Sequence, residues 1–236
     1  MKLDAISLEY ILNVVKTAKL VNIESVIIEP NAVRAIKQDD SSVVILQTTD
    51  VPDMPFGSIG MTRLDVFNSR YELLRTQDNF SIDVQIDEDA NCARSIIMKA
   101  KGTKTDYRCA KPIAIKAPKQ LNDTVKHRVQ MNSESALLMQ KGISAMQNPE
   151  HITIISNDNG VSFEFSDINN DKFEHTFMEK AECLTSDATG KFAHRYLIKT
   201  LFPLIKHNPD GQFSVGQKGI LAFDINGLTV YVLPQA

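Results

Sequence analysis

Four stretches of the chain carry apolar residues at helical spacing, and short β-type runs lie between them. In residues 6–20, Ile11, Val14, Val15 and Ala18 fall on one face with Glu9, Asn13 and Lys16 opposite, which predicts an amphipathic helix. Residues 61–77 repeat the spacing through Leu64, Phe67, Tyr71 and Leu74, with Thr62 placed to cap the start. Residues 132–147 open on Asn-Ser-Glu-Ser, carry Leu138, Met139, Ile143 and Met146, and stop before Asn148-Pro149, where helix is disfavoured. Residues 192–206 set Leu197, Ile198, Leu201 and Leu204 on one side, and Pro203 is expected to kink or end the last turn.

The β-type runs are 25–28, 33–37, 43–48, 80–86, 95–101 and 104–109 in the first half, and 151–156, 161–165, 213–215, 220–224 and 228–233 in the second. Asp158-Asn159-Gly160 and Asn226-Gly227 are hairpin signals. Residues 50–60 read equally as loop or strand, and in 167–190 pattern and polarity disagree. Each half thus runs helix, three or so strands, helix, three strands. The order repeats at about half the chain, which predicts an α+β protein of two duplicated domains, each with two helices on a β-sheet. The expected boundaries are 1–110 and 129–236. Residues 111–128, with Pro112, Pro118 and the basic Lys111, Lys116, Lys119, Lys126 and Arg128, read as a linker over the surface.

Length agrees, since 236 residues suffice for one large domain or two of about 100 each. The 43% apolar and 23% charged composition is that of a folded globular chain. No apolar run approaches the roughly 18 residues of a membrane span, and Met1-Lys2-Leu3-Asp4 lacks the layout of a secretory signal. A cytoplasmic or nuclear protein without a membrane partner is expected. Cys92, Cys109 and Cys183 are odd in number and far apart, which excludes a disulfide framework and a CxxC metal or redox pair, so buried thiols are expected.

Little catalytic chemistry is visible. His127, His151, His175, His194 and His207 show no HExxH spacing, and no Walker A, GxSxG or GxGxxG pattern occurs. Cys183 and His194 would be the only nucleophile and base to consider, with nothing to supply a third group. A binding protein with no cofactor and no metal is the expectation.

Charge sharpens it. The formal net charge of −3 argues against a uniformly basic nucleic-acid binder. Over the four predicted helices, however, Lys16, Lys19, Arg63, Arg70, Arg75, Lys141, Arg195, Lys199 and Lys206 face only Glu9, Asp65, Glu72 and Glu134, a balance of +5 that leaves −8 elsewhere. Basic helices on an otherwise acidic chain suit contact with phosphates that is indifferent to base sequence. For any single lysine, a solvated helix face explains the charge as well.

Three segments resemble the eukaryotic and archaeal sliding clamps, the proliferating-cell nuclear antigen family, and their phage relatives. Lys191-Phe192-Ala193-His194-Arg195-Tyr196-Leu197 is similar to the family's Phe-Ala-x-Arg-Tyr-Leu opening of the fourth helix. Asp40-Ser41-Ser42, followed by Val43-Val44-Ile45-Leu46, is similar to its Asp-Ser-Ser turn between strands. Leu228-Thr229-Val230-Tyr231-Val232-Leu233-Pro234 resembles its last strand and apolar tail. The chain is short for a eukaryotic clamp and its first helix lacks a dense lysine cluster, so a phage or other viral source is expected. Its compartment would then be the host cytoplasm, or the nucleus for a nuclear virus or a eukaryote.

The resemblance implies the DNA clamp fold and a DNA polymerase processivity factor: a head-to-tail homotrimeric ring around double-stranded DNA, placed by a clamp loader and tethering DNA polymerase and other replication proteins. Lys16, Lys19, Arg63, Arg70, Lys141, Arg195, Lys199 and Lys206 would face DNA, with Arg195 and Lys199 one turn apart on the fourth helix. Ile113, Ile115, Val232, Leu233 and Pro234 would line a groove for partner peptides, or else only pack their own strands. The run 104–109 and a strand near 173–177 are the candidate subunit edges, where pairing covers strands that would otherwise aggregate. Two other readings stay open: a monomeric processivity factor held on DNA by charge alone, and a clamp-fold scaffold that binds no DNA.

Overall fold

A computed structural model describes residues 1–39, 43–118, 121, 123–157, 160–167, 169, 171–178, 182–183 and 192–235, with backbone alone for 178, 182 and 183. The chain divides into two compact units. One comprises Met1–Lys37, Ile45–Lys119 and Asn226–Leu228; the other comprises Gln38–Val44, Gln120–Ile225 and Thr229–Ala236.

The first unit begins with α1 (Ala5–Leu20), capped by the Asp4 carboxylate, which accepts from the Ser7 amide at 2.8 Å. Its apolar stripe is the predicted one, with Ile11, Val14, Val15 and Ala18 all at 0% exposure. Strands β1 (Ser25–Glu29), β2 (Ala32–Gln38), β3 (Val43–Thr48) and β4 (Ile59–Thr62) form a sheet in the order β4-β1-β2-β3. After α2 (Leu64–Leu74), β5 (Ser81–Asp87), β6 (Cys92–Ala100) and β7 (Thr103–Arg108) form an antiparallel sheet in which β7 pairs only with β6 among the described residues. Phe67 of α2 meets Tyr107 of β7 edge-on at 5.3 Å, and the Tyr107 hydroxyl donates to the Thr62 carbonyl.

The second unit holds β8 (Val125–Gln130), α3 (Ser133–Ala145), β9 (His151–Asn157), β10 (Gly160–Ser166), β11 (Lys172–Met178), β12 (Glu182–Cys183), β13 (Phe192–Leu197), α4 (Ile198–His207), β14 (Gln212–Gly216), β15 (Leu221–Ile225) and β16 (Leu228–Val232). One sheet runs β11-β10-β9-β13; β12-β8-β14-β15-β16 are neighbours in the other. Six phenylalanines make a continuous aromatic core: Phe163, Phe165, Phe173, Phe177, Phe213 and Phe223, with centroids of successive pairs 4.8–6.2 Å apart. Each fully buried ring contributes on the order of 1.5–3 kcal/mol of apolar transfer. Gly142 lets α3 settle on this core, since a Cβ there would stand 2.6 Å from Phe165 Cζ.

Pairing repeats between the units as element order does. β1 sits between β2 and β4 as β9 sits between β10 and β13, and β6 lies between β5 and β7 as β15 lies between β14 and β16. Lys2 bridges to Asp83 on the free side of β5, where β8 pairs with β14 in the second unit. A duplicated α+β topology is therefore written in the hydrogen bonds themselves.

Several expectations change. Residues 61 and 62 belong to β4, so Thr62 caps nothing; α2 starts after Arg63, which takes a left-handed conformation at φ 53° and offers no side-chain cap. Residues 192–197 are strand, and the fourth helix begins only at Ile198. The six residues alternate, with Tyr196 buried and Ala193 and Arg195 exposed, and the apolar spacing of the adjoining helix masked that alternation. Pro203 does not end α4, which continues to His207. In α3, Met139 is buried with Ser135 and Gly142, while Leu138 of the expected stripe is 36% exposed. Residues 125–128 of the expected linker form the start of β8, with Lys126 and His127 at 0% exposure.

The ambiguous segment 50–60 is irregular up to β4, and 167–190 contains β11 and β12. Asn226 and Gly227 both have positive φ, 53° and 77°, as a type I′ turn requires. Asp40-Ser41-Ser42, Lys119, Asp158-Asn159 and Lys191 lie outside the described residues.

Candidate nucleic-acid interface

The eight expected DNA-facing cations divide into three groups. Lys16 on α1, Arg63 before α2, Lys141 on α3, and Lys199 and Lys206 on α4 are exposed and make no ion pair among the described residues. Lys19 and Arg70 are engaged. Lys19 Nζ lies 2.7 Å from the Asp65 carboxylate of α2, and Arg70 Nη1 donates to the Asp106 carbonyl of β7 at 2.6 Å. Both Lys19 and Asp65 are at least 37% exposed, so their pair contributes at most about 1 kcal/mol and its charge remains accessible to a ligand.

Arg195 forms the third group. It is exposed on β13 and not on a helix, and its guanidinium donates to His151 Nδ1 at 3.0 Å. In the register Arg195 pairs with Thr153 and Leu197 with His151, so Arg195, Thr153 and His151 share one face of the sheet. Ile154, opposite Phe163, is on the other face, which α3 covers through Gly142 and Phe165. Arg195 thus faces away from α3 on a strand, whereas Lys199, only four residues on, belongs to α4. The His151 titration is lowered, first by desolvation and then by the Arg195 charge.

With observed helix bounds, the four helices carry six basic and four acidic residues, Lys16, Lys19, Arg70, Lys141, Lys199 and Lys206 against Glu9, Asp65, Glu72 and Glu134. The balance is +2, and not the +5 expected, because Arg63 and Arg75 flank α2 and Arg195 is on a strand. The rest of the chain then sums to −5.

The five residues expected at a partner groove differ in what they present. Ile113, in a 3₁₀ turn over Pro112–Ala114, is 93% exposed. Ile115 and Val232 are spent in packing, at 9% and 1% exposure, while Leu233 and Pro234 are half-buried. Sheet edges fall where expected: β7 ends its sheet, and β11, spanning the expected 173–177, ends the other.

No nucleophile and base come together among the described residues. Burial pushes the Cys109 thiol up to about 12, which keeps it protonated and unreactive. His194 lies against the Phe192 ring and the Gly219 turn, its titration lowered by desolvation. The Cys183 side chain is outside what is described. No helix among the described residues is long and apolar enough to cross a membrane.

No protein-family model and no curated protein matches the sequence. Solved structures do match the fold. The A. fulgidus PCNA bound to the C-terminal region of FEN-1 superposes with a TM-score of 0.67 at 13% identity, covering 97% of this chain and 96% of that one. PCNA of Entamoeba histolytica gives 0.63 at 15% identity over 95% and 94%, and PCNA of Thermococcus kodakaraensis gives 0.63 at 12% identity over 100% and 99%. Coverage near completeness on both sides with so little identity is a likeness of architecture: this chain has the fold of a DNA sliding clamp from end to end.

Proposed function

We propose that the chain is one subunit of a ring-shaped DNA sliding clamp, a non-enzymatic processivity factor that encircles duplex DNA and tethers DNA polymerase and other replication proteins. The observation that carries this reading is the full-length clamp fold. Domains 1–110 and 129–236 joined by 111–128 are the corresponding organisation, adjusted by β8, which begins at Val125.

Two such domains do not close a circle, so closure uses copies joined head to tail, three in the homotrimer we propose. The edges of β7 and β11, unpaired among the described residues, suit a heterologous contact of that kind, and a clamp loader would place the closed ring on DNA. Lys16, Lys19, Arg63, Arg70, Lys141, Lys199 and Lys206 supply the sequence-independent phosphate contacts that sliding requires. Arg195, on the far side of its sheet from α3, is not part of this set. Partner peptides dock around the exposed Ile113; the A. fulgidus clamp holds such a segment of FEN-1. A helix balance of only +2 speaks against a monomer held on DNA by charge alone.

Solution mass tests the ring. Light scattering at several concentrations in moderate salt should give three times the 26.4 kDa chain. A monomer that persists at high concentration would sink the stable ring.

A further inference from the structure

The exposed side of α3 and α4 is not the purely polar surface that phosphate contact alone would need. Leu137 is 50% exposed and Leu138 36%, on a helix whose buried side is already occupied by Ser135, Met139 and Gly142. Phe202 is half-buried on α4, whose core side consists of Ile198, Leu201, Leu204 and Ile205. Leu137 and Phe202 face one another across a shallow groove of about 300 Å³ lined also by Ser133, Ala136, Gln140, Lys206 and Pro209. Both leave apolar surface open at the groove, on helices whose core sides are already filled by other residues.

Cations stand one helical turn from each apolar side chain. Lys141 follows Leu137 by four positions, and Phe202 has Lys199 three before it and Lys206 four after it. Lys141, Lys199 and Lys206 are all exposed. The acidic groups nearby are Glu134, Asp210 and Glu150, whose carbonyl accepts from the Ile198 amide beside Lys199; Asp210 already accepts from the Ser133 amide and hydroxyl at 2.8–2.9 Å. A lysine-flanked apolar strip fits a ligand whose own surface alternates anionic and apolar groups at short range. A nucleic-acid backbone does this, since its deoxyribose rings separate its phosphates. The groove volume is at the lower end of the roughly 300–1,000 Å³ of sites that engulf a ligand, so a chain laid along it edge-on suits it better than a deeply anchored side chain.

We propose that the α3–α4 face grips the DNA backbone by apolar contact as well as by charge: Leu137 and Phe202 lie against deoxyribose while Lys141, Lys199 and Lys206 take the adjoining phosphates. This rests on the DNA-clamp reading above. It makes part of the hold on DNA independent of salt, which a bore of lysines alone would not provide.

Titration of a fluorescent duplex with the full-length protein at several salt concentrations separates the two components. Charge sets the slope of log affinity against log salt, about 0.9 for each phosphate contact, and apolar contact sets the offset. Leu137→Ala/Phe202→Ala should lower affinity about tenfold at unchanged slope, the loss expected from removing a few apolar carbons from contact. Lys206→Ala should reduce the slope. If the apolar pair changes neither slope nor offset while Lys206→Ala does, the apolar half is wrong and the DNA-facing reading stands. If neither variant matters, that reading itself fails at this face. A lower solution mass for the apolar variant would assign the face to a second copy, and unchanged DNA affinity with lost polymerase stimulation would assign it to a protein partner; either overturns the proposal. Circular dichroism and urea midpoints confirm that each variant is folded.

Discussion

Replacing Gly142 by alanine probes how closely α3 rests on the aromatic core of its unit. In an open helix the change would stabilise by about 1 kcal/mol, because glycine has the greater backbone freedom to lose. Here the new methyl would stand 2.6 Å from Phe165 Cζ and 3.0 and 3.1 Å from two atoms of the Phe173 ring. Contacts that short must relax, and overpacking of this kind costs about 1–3 kcal/mol. The two effects sum to a net loss of about 1 kcal/mol, with about 2 as the upper end. Urea denaturation reads this as a lower midpoint at constant m-value. The double variant Gly142→Ala/Phe165→Leu should lose less than the two single changes sum to, since it removes the ring that the methyl strikes first. Stabilisation by the full propensity gain would refute the reasoning, for it would mean that α3 stands clear of the sheet. The test bears on function because Lys141 is the neighbouring residue: a helix pushed outward moves one of the proposed phosphate contacts.

Other outcomes follow from single contacts. Tyr196→Phe removes the buried hydroxyl that donates to the Gly219 carbonyl, and should cost about 1–3 kcal/mol by leaving that acceptor unsatisfied, measured by the same denaturation. Arg195→Ala should raise the His151 titration midpoint towards its ordinary 6.5 without reaching it, since desolvation is the larger cause; NMR of the histidine ring follows it, and no change would mean the two side chains do not meet. Because His151 and His194 both titrate below 6.5 when folded, the unfolded chain binds more protons just below that pH, so stability should fall as pH drops from 7 through 6.5 towards the folded-state midpoints. Urea midpoints across that window check it, and His194→Gln should flatten the fall.

The duplicated architecture was legible because both halves write the same order of helical and alternating runs; α1 came through within one residue and the bounds of β3 unchanged. What failed did so where two periodicities meet without a break. Phe192–Leu197 runs straight into α4, so the apolar positions of the helix lent the strand their spacing and moved Arg195 onto the wrong element. Ile59–Thr62 was hidden in the same way before α2, where Arg63 turns the chain through a left-handed residue that no cap motif announces. β8 was missed because Lys126, His127 and Arg128 read as surface, whereas Lys126 is buried with its ammonium 4.3 Å from the centre of the Phe192 ring. The alternation of Phe173, His175 and Phe177 did mark a strand near 173–177, which β11 contains, although polarity left the bounds of the surrounding segment open. Basic residue types pointed to a phosphate-binding surface; which of them share it depended on elements whose ends the sequence does not mark, and Leu137 and Phe202 lie outside the apolar stripes that the spacing picks out.

Encirclement of DNA is the central claim, and topology tests it most directly. The protein should be placed on nicked circular duplex, with a clamp loader if required, and its retention followed through gel filtration in moderate salt before and after the circle is cut once. A closed ring stays on the circle and is lost from the linear product by sliding off its ends. Equal retention before and after cutting, or no retention on the circle at all, would contradict the account.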